Sequence, residues 1–445
     1  MKIRCSIVLL SLPVVLAWPW SSALAQAQAI PTPTGNNAIF FHPDGTSASH
    51  WDVLRVLYYG PDGQAHWDRL PVIAPYRGHH LDRLGGTSNA GAVTHATGTR
   101  VPSGTFGLDP EGEEYPSADG TTYTLMELAV AADLATALVQ SGSLVEPGTA
   151  AFVAEAASRR NYEEIALEVV ESGVDIILGA GEEWLLPEGV EGRFGVGERS
   201  DGRNLIEELG EKGYRVVYTR DELLALEDDV TQVFGVFNVE DTFFDRSEEA
   251  LRAQGLPNYL ESAPTIAEMT QFTLERLADS PRGFFVVIEE EGTDNMCNRL
   301  NASGCLEALK RADDAFGVII EFVDSHPDTL MVTTSDSNAG GMQLIDVASA
   351  EGNLLTNDIS GAALDGVDGT GTAPFQSAPD RHGNRFPFAV AWASASDVGS
   401  GVIARAVGLN AQELLPTTGI VNTDIYRIFY RVLFGETIES ELTRR

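Results

Sequence analysis

Short apolar runs alternate with amphipathic segments along most of the chain. The clearest run, Phe284 to Ile288, is uninterrupted and rich in aromatic and β-branched residues, which is typical of a strand buried on both faces. Comparable runs predict strands over 38–41, 174–181, 215–218, 232–237, 329–334 and 386–392. Helical periodicity predicts helices over 47–59, 122–139, 146–160, 162–172, 205–212, 264–278, 306–324, 399–407 and 422–433. This alternation indicates an α/β fold with a mostly parallel central β-sheet flanked by helices on both faces.

The first 25 residues differ from this pattern. A charged start with Lys2 and Arg4 precedes an apolar segment over 7–18 and a small-residue cleavage site, which together predict a signal peptide over 1–25. A membrane anchor is the competing interpretation, but the apolar run is short and interrupted by prolines. We therefore expect a periplasmic or secreted protein without stable membrane association.

Residues 26–445 contain neither an internal repeat nor an interdomain linker, so we expect one catalytic domain. The segment at about 340–380 is rich in Gly, Ala and Asp and shows little periodicity. We predict that it forms a long surface excursion over the active face.

The charge balance excludes some partners. The formal net charge is −36, and loss of the two positive residues of the signal peptide gives −36 − 2 = −38. Such a surface repels nucleic acid and anionic membranes but tolerates multivalent cations. An anionic substrate would need a local positive site to overcome this field.

The two cysteines outside the signal peptide are Cys297 and Cys305. In an oxidising compartment their spacing predicts a disulfide that closes a small loop. Metal binding by this pair is the weaker alternative, because no further cysteine and no nearby histidine would complete the site.

Acidic residues follow several predicted strands. Asp44 comes after the first strand, four carboxylates between 289 and 294 follow the run that ends at Ile288, and Asp336 follows the strand over 329–334. The carboxyl ends of parallel strands are where open α/β sheets place their chemistry. With a serine at the start of a small-residue helix, the pattern suggests two or three cations that hold an anionic substrate.

These motifs resemble those of the alkaline phosphatases, in the same order along nearly all of the mature chain. The resemblance rests on the segments 40–45, 87–109, 148–159, 162–181, 284–294 and 332–336 and on His382. It implies that Ser88 is the nucleophile and Arg159 the phosphate-binding residue. It also implies metal ligands at Asp44, Glu289, Asp294, Asp336 and His382. Thr87 remains an alternative nucleophile, and Arg160 an alternative to Arg159.

The sequence departs from the family pattern at several ligand positions. Asn298 and Ser337 stand where the family has zinc-binding histidines, and the magnesium-binding hydroxyl is either shifted to Thr149 or replaced by Glu146. Because oxygen donors suit hard cations, we expect Mg²⁺, with Zn²⁺ at the His382 site and Ca²⁺ or Mn²⁺ as alternatives.

The resemblance implies an exported, metal-dependent phosphomonoesterase that acts on small phosphate monoesters through a phosphoserine on Ser88. A homodimer is compatible with this interpretation. The alternatives are a phosphodiesterase of the same superfamily and a noncatalytic protein that binds phosphate or cations.

Overall fold

A computed structural model describes residues 30–347 and 363–442. The predicted signal peptide and part of the predicted excursion lie outside these residues. The strands are β1 Asn37–Pro43, β2 Val72–Arg77, β3 Ala135–Ser143, β4 Ile176–Ala180, β5 Arg215–Val217, β6 Val233–Val236, β7 Phe284–Glu290, β8 Thr329–Thr333, β9 Gln343–Asp346, β10 Asp365–Gly366, β11 Gly369–Thr370, β12 Phe375–Gln376, β13 Pro387–Ala391, β14 Ile403–Gly408 and β15 Ile420–Val421.

The helices lie mainly between the strands. They are α1 Ala48–Tyr58, α2 Ser88–Thr97, α3 Leu125–Ala131, α4 Pro147–Ala150, α5 Tyr162–Glu171, α6 Leu205–Glu211, α7 Arg220–Leu224, α8 Glu248–Gln254, α9 Ile266–Leu277, α10 Gly292–Asn298, α11 Ala302–Ser325, α12 Ala411–Leu414 and α13 Asp424–Phe434, with 3-10 turns at Trp67–Arg69 and Glu182–Trp184. Among the described residues, no helix is both long and apolar enough to cross a membrane.

The main sheet has ten strands within the described chain, in the order β15-β2-β14-β8-β1-β7-β3-β4-β6-β5. The run from β8 to β5 is parallel throughout, whereas β14 is antiparallel to both of its neighbours. The fold is therefore an α/β fold with a mostly parallel sheet, as predicted. Because β1 lies between β7 and β8, the carboxyl ends of these three strands meet at one edge.

Both faces of the main sheet are buried. On β1, Ala38 and Phe40 pack into one apolar cluster, whereas Ile39 and Phe41 pack into a second cluster on the opposite face. This split follows from the strand geometry, in which successive side chains point to opposite faces. Burial of both faces explains why the sequences of the central strands are continuous apolar runs.

Most predicted elements lie within a few residues of observed ones, but three helix predictions were wrong. The segment 122–139 contains α3 followed by β3, and 146–160 contains only the short α4 before an irregular stretch. The segment 399–407 contains most of strand β14. In each case tertiary packing against the sheet decided the conformation of an Ala- and Val-rich segment that helical periodicity alone could not place.

The predicted excursion is not wholly irregular where it is described. Strands β9 to β13 form a second, smaller antiparallel sheet, in which β13 pairs with β9, β10 and β12.

Cys297 at the end of α10 and Cys305 in α11 form a disulfide, as predicted. This bond ties together two helices that follow β7 and so supports the segment that carries Asp294 and Asn298.

Candidate active site

Three carboxylates meet where β1, β7 and β8 end. Asp44 directly follows β1, Glu289 lies near the end of β7, and Asp336 follows β8, and all three are buried. One oxygen each of Asp44, Glu291 and Asp294 lies within 4.8 Å of the others. The sheet thus concentrates acids that are separated by almost 300 positions in sequence, between Asp44 and Asp336.

The consecutive acids of β7 point to opposite faces. Glu289 faces the site, with Nδ1 of His42 3.3 Å from its Oε1. Glu290 instead accepts a hydrogen bond from Arg311 at 3.1 Å. Glu291 follows the end of the strand and its backbone N–H donates to Ser141 Oγ at 3.0 Å. Both the Glu290 and the Glu291 side chains are buried.

Ser88 is the first residue of α2 and is 7% exposed. A Cβ added at Gly91 would lie 2.5 Å from Cβ of Asp336, so the first turn of α2 rests directly on the acidic end of β8. This close approach explains the small residues in the segment. Burial disfavours the ionised form of Asp44, but the charge of His42 and hydrogen bonds, with the Ser88 hydroxyl among the partners, lower its pKa.

Thr87, the alternative nucleophile, faces elsewhere. Its hydroxyl donates to the Ser103 carbonyl at 3.1 Å and lies 3.3 Å from Nε2 of His80. Because the partners of the Thr87 hydroxyl among the described residues are Ser103 and His80 and not the buried acids, the geometry favours Ser88 over Thr87.

Arg159 is held beside the site by Glu146. Its Nη2 donates to Oε2 of Glu146 at 3.0 Å. Burial opposes the charge of Arg159, but the carboxylates of Glu146 and Glu291 outweigh this effect and raise its pKa. The side chain stays partly exposed, which leaves donors available to a ligand. The neighbouring Arg160 is exposed and forms no part of this group.

Asp294 and Asn298 lie one turn apart on α10, together with an acid that the sequence did not single out. The Asn298 Nδ2 donates to Asp294 at 3.1 Å and to Asp397 at 3.0 Å, while its Oδ1 accepts from the Gly340 N–H at 3.0 Å. In this orientation Asn298 positions two carboxylates and is not itself an oxygen donor to a cation. Asp397 follows β13, so the rule of acidic strand ends could have found it.

His382 is not brought to these carboxylates. It lies exposed in the turn between β12 and β13, where its N–H donates to Asp380 and the adjacent Arg381 pairs with Asp62. His382 precedes β13, whereas the contacts with Asn298 are made beyond the end of that strand, so a ligand role for His382 stays a prediction that the structure does not support. Asp397 is the residue after β13 that reaches the site.

The Thr149 hydroxyl, a predicted cation ligand, has a different partner from the buried carboxylates. It accepts a hydrogen bond from Gln140 Nε2 at 2.6 Å, and the residue lines a small space together with Leu138 and Leu178. Its neighbour Gly148 is the residue that contacts Glu289, because an added Cβ there would lie 1.6 Å from the Glu289 Oε1. The lack of a side chain at 148 makes room for the Glu289 carboxylate.

Burial and mutual repulsion disfavour ionisation of most of these acids. Burial, and next the charge of Asp397, raises the pKa of Asp294 well above its ordinary value. Burial, and next the charge of Asp44, does the same for the pKa of Asp336. Burial raises the pKa of Glu289 to about 7, against the opposing effect of His42. Such a group becomes stable in its ionised form when cations lie among the oxygens.

The donor set fits divalent cations. Several buried atoms have no hydrogen-bond partner, namely Asp44 Oδ2, Glu289 Oε2, Glu291 Oε2, Asp336 Oδ1 and Oδ2, and Ser337 Oγ. An orphaned buried polar atom is costly unless a ligand satisfies it. Carboxylate and hydroxyl oxygens are the ligands of Mg²⁺, Ca²⁺ and Mn²⁺. These residues can therefore hold two or more hard cations.

Replacement of Gly148 by Ala tests this packing. The added methyl group must displace the Glu289 carboxylate, so we expect Gly148→Ala to lower the free energy of unfolding by about 1–3 kcal/mol and to weaken cation binding. Gly210→Ala on α6 is the matched control, since an added Cβ there meets no atom within 4 Å. Chemical denaturation and metal titration of both variants check this prediction. Equal behaviour of the two variants would contradict it.

Solved structures show which fold these elements form. Alkaline phosphatase from Thermus thermophilus superposes with a TM-score of 0.68 and 20% identity, covering 94% of this chain and 95% of that one. The enzyme of the Antarctic bacterium TAB5 gives a TM-score of 0.67 at 18% identity, covering 90% and 98%. A mutant of TAB5 alkaline phosphatase solved with Mg bound gives 0.66 at 18% identity, covering 91% and 99%. The protein has the alkaline-phosphatase-like α/β fold.

Sequence comparison identifies the family. The family model described as alkaline phosphatase matches residues 35–358, and the chain belongs to the alkaline phosphatase family. Alkaline phosphatase of Escherichia coli is 24% identical over 339 residues, which cover 67% of this chain and 69% of that protein. Repressible alkaline phosphatase of Saccharomyces cerevisiae is 27% identical over 365 residues, 75% of this chain and 59% of that protein. Membership supports a phosphatase-type hydrolase.

Proposed function

We propose that the protein is an exported, metal-dependent phosphomonoesterase that releases inorganic phosphate through a phosphoserine intermediate on Ser88. The observation that carries this proposal is the position of the Ser88 hydroxyl against Asp44, at the N-terminus of α2 and beside the buried carboxylates. A helix N-terminus favours an anion, and the adjacent oxygens favour the cations that such an anion requires.

The cations would be held in two neighbouring places. Asp44 and Asp336, with the Ser337 hydroxyl, would form one donor group, and Asp44, Glu291 and Asp294, with Asp397 linked to them through Asn298, would form the other. Bound divalent cations would lower the pKa of the Ser88 hydroxyl and balance the charge of the phosphate. The Mg²⁺ in the TAB5 mutant structure is in line with this donor chemistry. We propose Mg²⁺ as the main cation, with Zn²⁺, Ca²⁺ or Mn²⁺ as alternatives.

The residues of this chain then have separate tasks. Ser88 Oγ attacks phosphorus as its proton is lost, and the bond from phosphorus to the leaving-group oxygen breaks, so that the alcohol departs with a proton. Water next attacks the phosphoserine, which regenerates the Ser88 hydroxyl and releases inorganic phosphate. Arg159 binds nonbridging oxygens through its planar guanidinium and supplies the positive charge that the acidic surface lacks. Glu146 orients Arg159.

A substitution of Arg159 tests its role. Arg159→Lys keeps the charge but loses the bidentate geometry, so we expect kcat/KM for an aryl phosphate to fall by about one to two orders of magnitude. Arg160→Lys is the matched control, because Arg160 is exposed, and it should retain the parent rate. Steady-state kinetics of both variants give the answer. A comparable loss at both positions would contradict a specific role for the Arg159 guanidinium.

Export to the periplasm or the medium is proposed from the signal-peptide pattern over 1–25, and the disulfide between Cys297 and Cys305 suits an oxidising compartment. The substrates are proposed to be small phosphate monoesters, and a homodimer remains compatible with this function. Residues 26–445 are proposed to act as one catalytic domain.

Hydrolysis of matched esters tests the function. The purified protein, stripped of metal and then supplied with Mg²⁺, Mn²⁺, Ca²⁺ or Zn²⁺, is assayed with an aryl phosphate monoester and the corresponding diester. The proposal predicts cation-dependent phosphate release, with a higher kcat/KM for the monoester. Faster diester cleavage would instead identify a phosphodiesterase, and phosphate binding without turnover under every cation would identify a noncatalytic protein.

A further inference from the structure

His42 is a buried imidazole within the carboxylate site, although the resemblance to the alkaline phosphatases implies no role for it. It lies on β1 two residues before Asp44, and it is fully buried. Residues two apart on a strand share a face, so His42 and Asp44 point to the same side of the sheet. One nitrogen of His42 and one oxygen each of Asp44 and Glu289 lie within 4.8 Å of one another.

The two ring nitrogens of His42 have different surroundings. Nδ1 lies 3.3 Å from Oε1 of Glu289, the residue opposite His42 in the β1–β7 register. Nε2 has no hydrogen-bond partner. A carboxylate that accepts from Nδ1–H fixes the tautomer that leaves the lone pair on Nε2, which is the usual arrangement around a metal-bound histidine.

Nε2 faces two carboxylate oxygens at nearly equal distances. Oδ1 of Asp44 lies 3.7 Å away and Oδ1 of Asp336 lies 3.8 Å away. These separations are too long for hydrogen bonds. They are close to the distance of about 3.6 Å between two ligand atoms that share a cation through bonds of about 2.1 Å at an angle of about 120°.

The ring is fixed in this direction by its neighbours. It stacks on Phe40 with centroids 5.8 Å apart and meets the edge of His95 at 5.7 Å. Nε2 of His95 is in turn engaged by the Tyr76 hydroxyl at 2.6 Å. Because aromatic packing holds the ring and Glu289 holds Nδ1, little ordering would be needed for Nε2 to bind a cation.

We propose that Nε2 of His42 is a nitrogen ligand of a divalent cation shared with Asp44 and Asp336. The inference rests on the proposed function only in placing that cation in the same site. An imidazole beside two carboxylates favours Zn²⁺ or Co²⁺, whereas the oxygens around Glu291 and Asp294 favour Mg²⁺ or Mn²⁺. The site is therefore selective at the His42 position for a softer cation than elsewhere.

X-ray absorption and metal titration test this inference on the full protein. In the Zn²⁺-loaded parent we expect imidazole scattering in the zinc coordination shell, and in His42→Gln we expect its loss and at least about a hundredfold weaker Zn²⁺ binding. His50→Gln is the matched control, since His50 is also buried but both of its nitrogens are hydrogen-bonded, to Ser47 and to the Ala339 carbonyl. It should bind Zn²⁺ as the parent does.

An all-oxygen shell in the parent protein overturns the inference even if His42→Gln does not fold, and it would mean that His42 acts as a cationic partner of the acids. Unchanged Zn²⁺ binding by folded His42→Gln overturns it as well. Either result leaves the proposed function intact if the loaded parent hydrolyses phosphate monoesters. Conversely, an imidazole shell lost in His42→Gln without any hydrolysis by the parent supports the ligand and rejects the function.

Discussion

Ser88→Ala is expected to lower kcat for an aryl phosphate by at least about a thousandfold while leaving the fold and the cation content unchanged. The reason is chemical, because alanine has no oxygen that can form a covalent bond to phosphorus. The cations and Arg159 would remain, so substrate binding should persist with a similar Kd. Stopped assays of phosphate release measure kcat, and metal analysis of the same sample measures the cation content.

Thr87→Ala separates the two candidate nucleophiles. The Thr87 side chain does not cap α2 and contacts Ser103 and His80, so its removal should change kcat by no more than a few-fold. A Thr87→Ala variant as inactive as expected for Ser88→Ala, combined with an active Ser88→Ala variant, would transfer the nucleophile to Thr87.

Removal of the metals is expected to destabilise the protein in a pH-dependent manner. Burial raises the pKa of Glu289 from 4.5 to about 7, and the pKa of Asp294 and of Asp336 is raised in the same direction. A carboxyl group whose pKa is raised by folding stabilises the fold below its ordinary pKa, and this contribution is lost as pH rises through the folded pKa. For Glu289 alone the loss between pH 4.5 and 7 is roughly 3 kcal/mol.

Cations reverse this effect, because they favour the ionised carboxylates. We therefore expect chelation to abolish activity and to lower the melting temperature by several degrees at pH 8 but by much less at pH 5. Thermal melts of chelated and Mg²⁺-loaded protein at both pH values test this, with K⁺ at equal ionic strength as the control. A chelator effect of equal size at both pH values, or full rescue by K⁺, would contradict the account.

The acidic residues at the strand ends were predictable from sequence, because the carboxyl ends of parallel strands lie at the same edge of a sheet. An apolar run that ends in an acid places that acid at the carboxyl edge, and Asp44, Glu289 and Asp336 meet there as expected. The position of Ser88 was equally accessible, since a capping-type residue before a run of small side chains indicates a helix N-terminus in close contact. These placements needed only local patterns, whereas the role of Ser88 as nucleophile was implied by the resemblance to the alkaline phosphatases.

The remaining residues depend on how distant segments pack. His382 and Asp397 flank the same strand, β13, and only the path of that strand determines which one reaches Asn298. Thr149 and Gly148 are adjacent, and which of them faces Glu289 depends on the rotation of a short helix, α4. His42 had a local signal in its spacing from Asp44, but an apolar strand with a histidine near its end does not by itself indicate a ligand.

Identification of the residue that is phosphorylated during turnover tests the phosphoserine mechanism most directly. The cation-loaded protein is mixed with an aryl phosphate monoester, quenched in acid, digested and examined by mass spectrometry. We expect one phosphoryl group on the peptide that contains Ser88, at Ser88 itself, and none in the Ser88→Ala variant. A phosphoryl group on any other residue, or sustained hydrolysis by the Ser88→Ala variant, would contradict it.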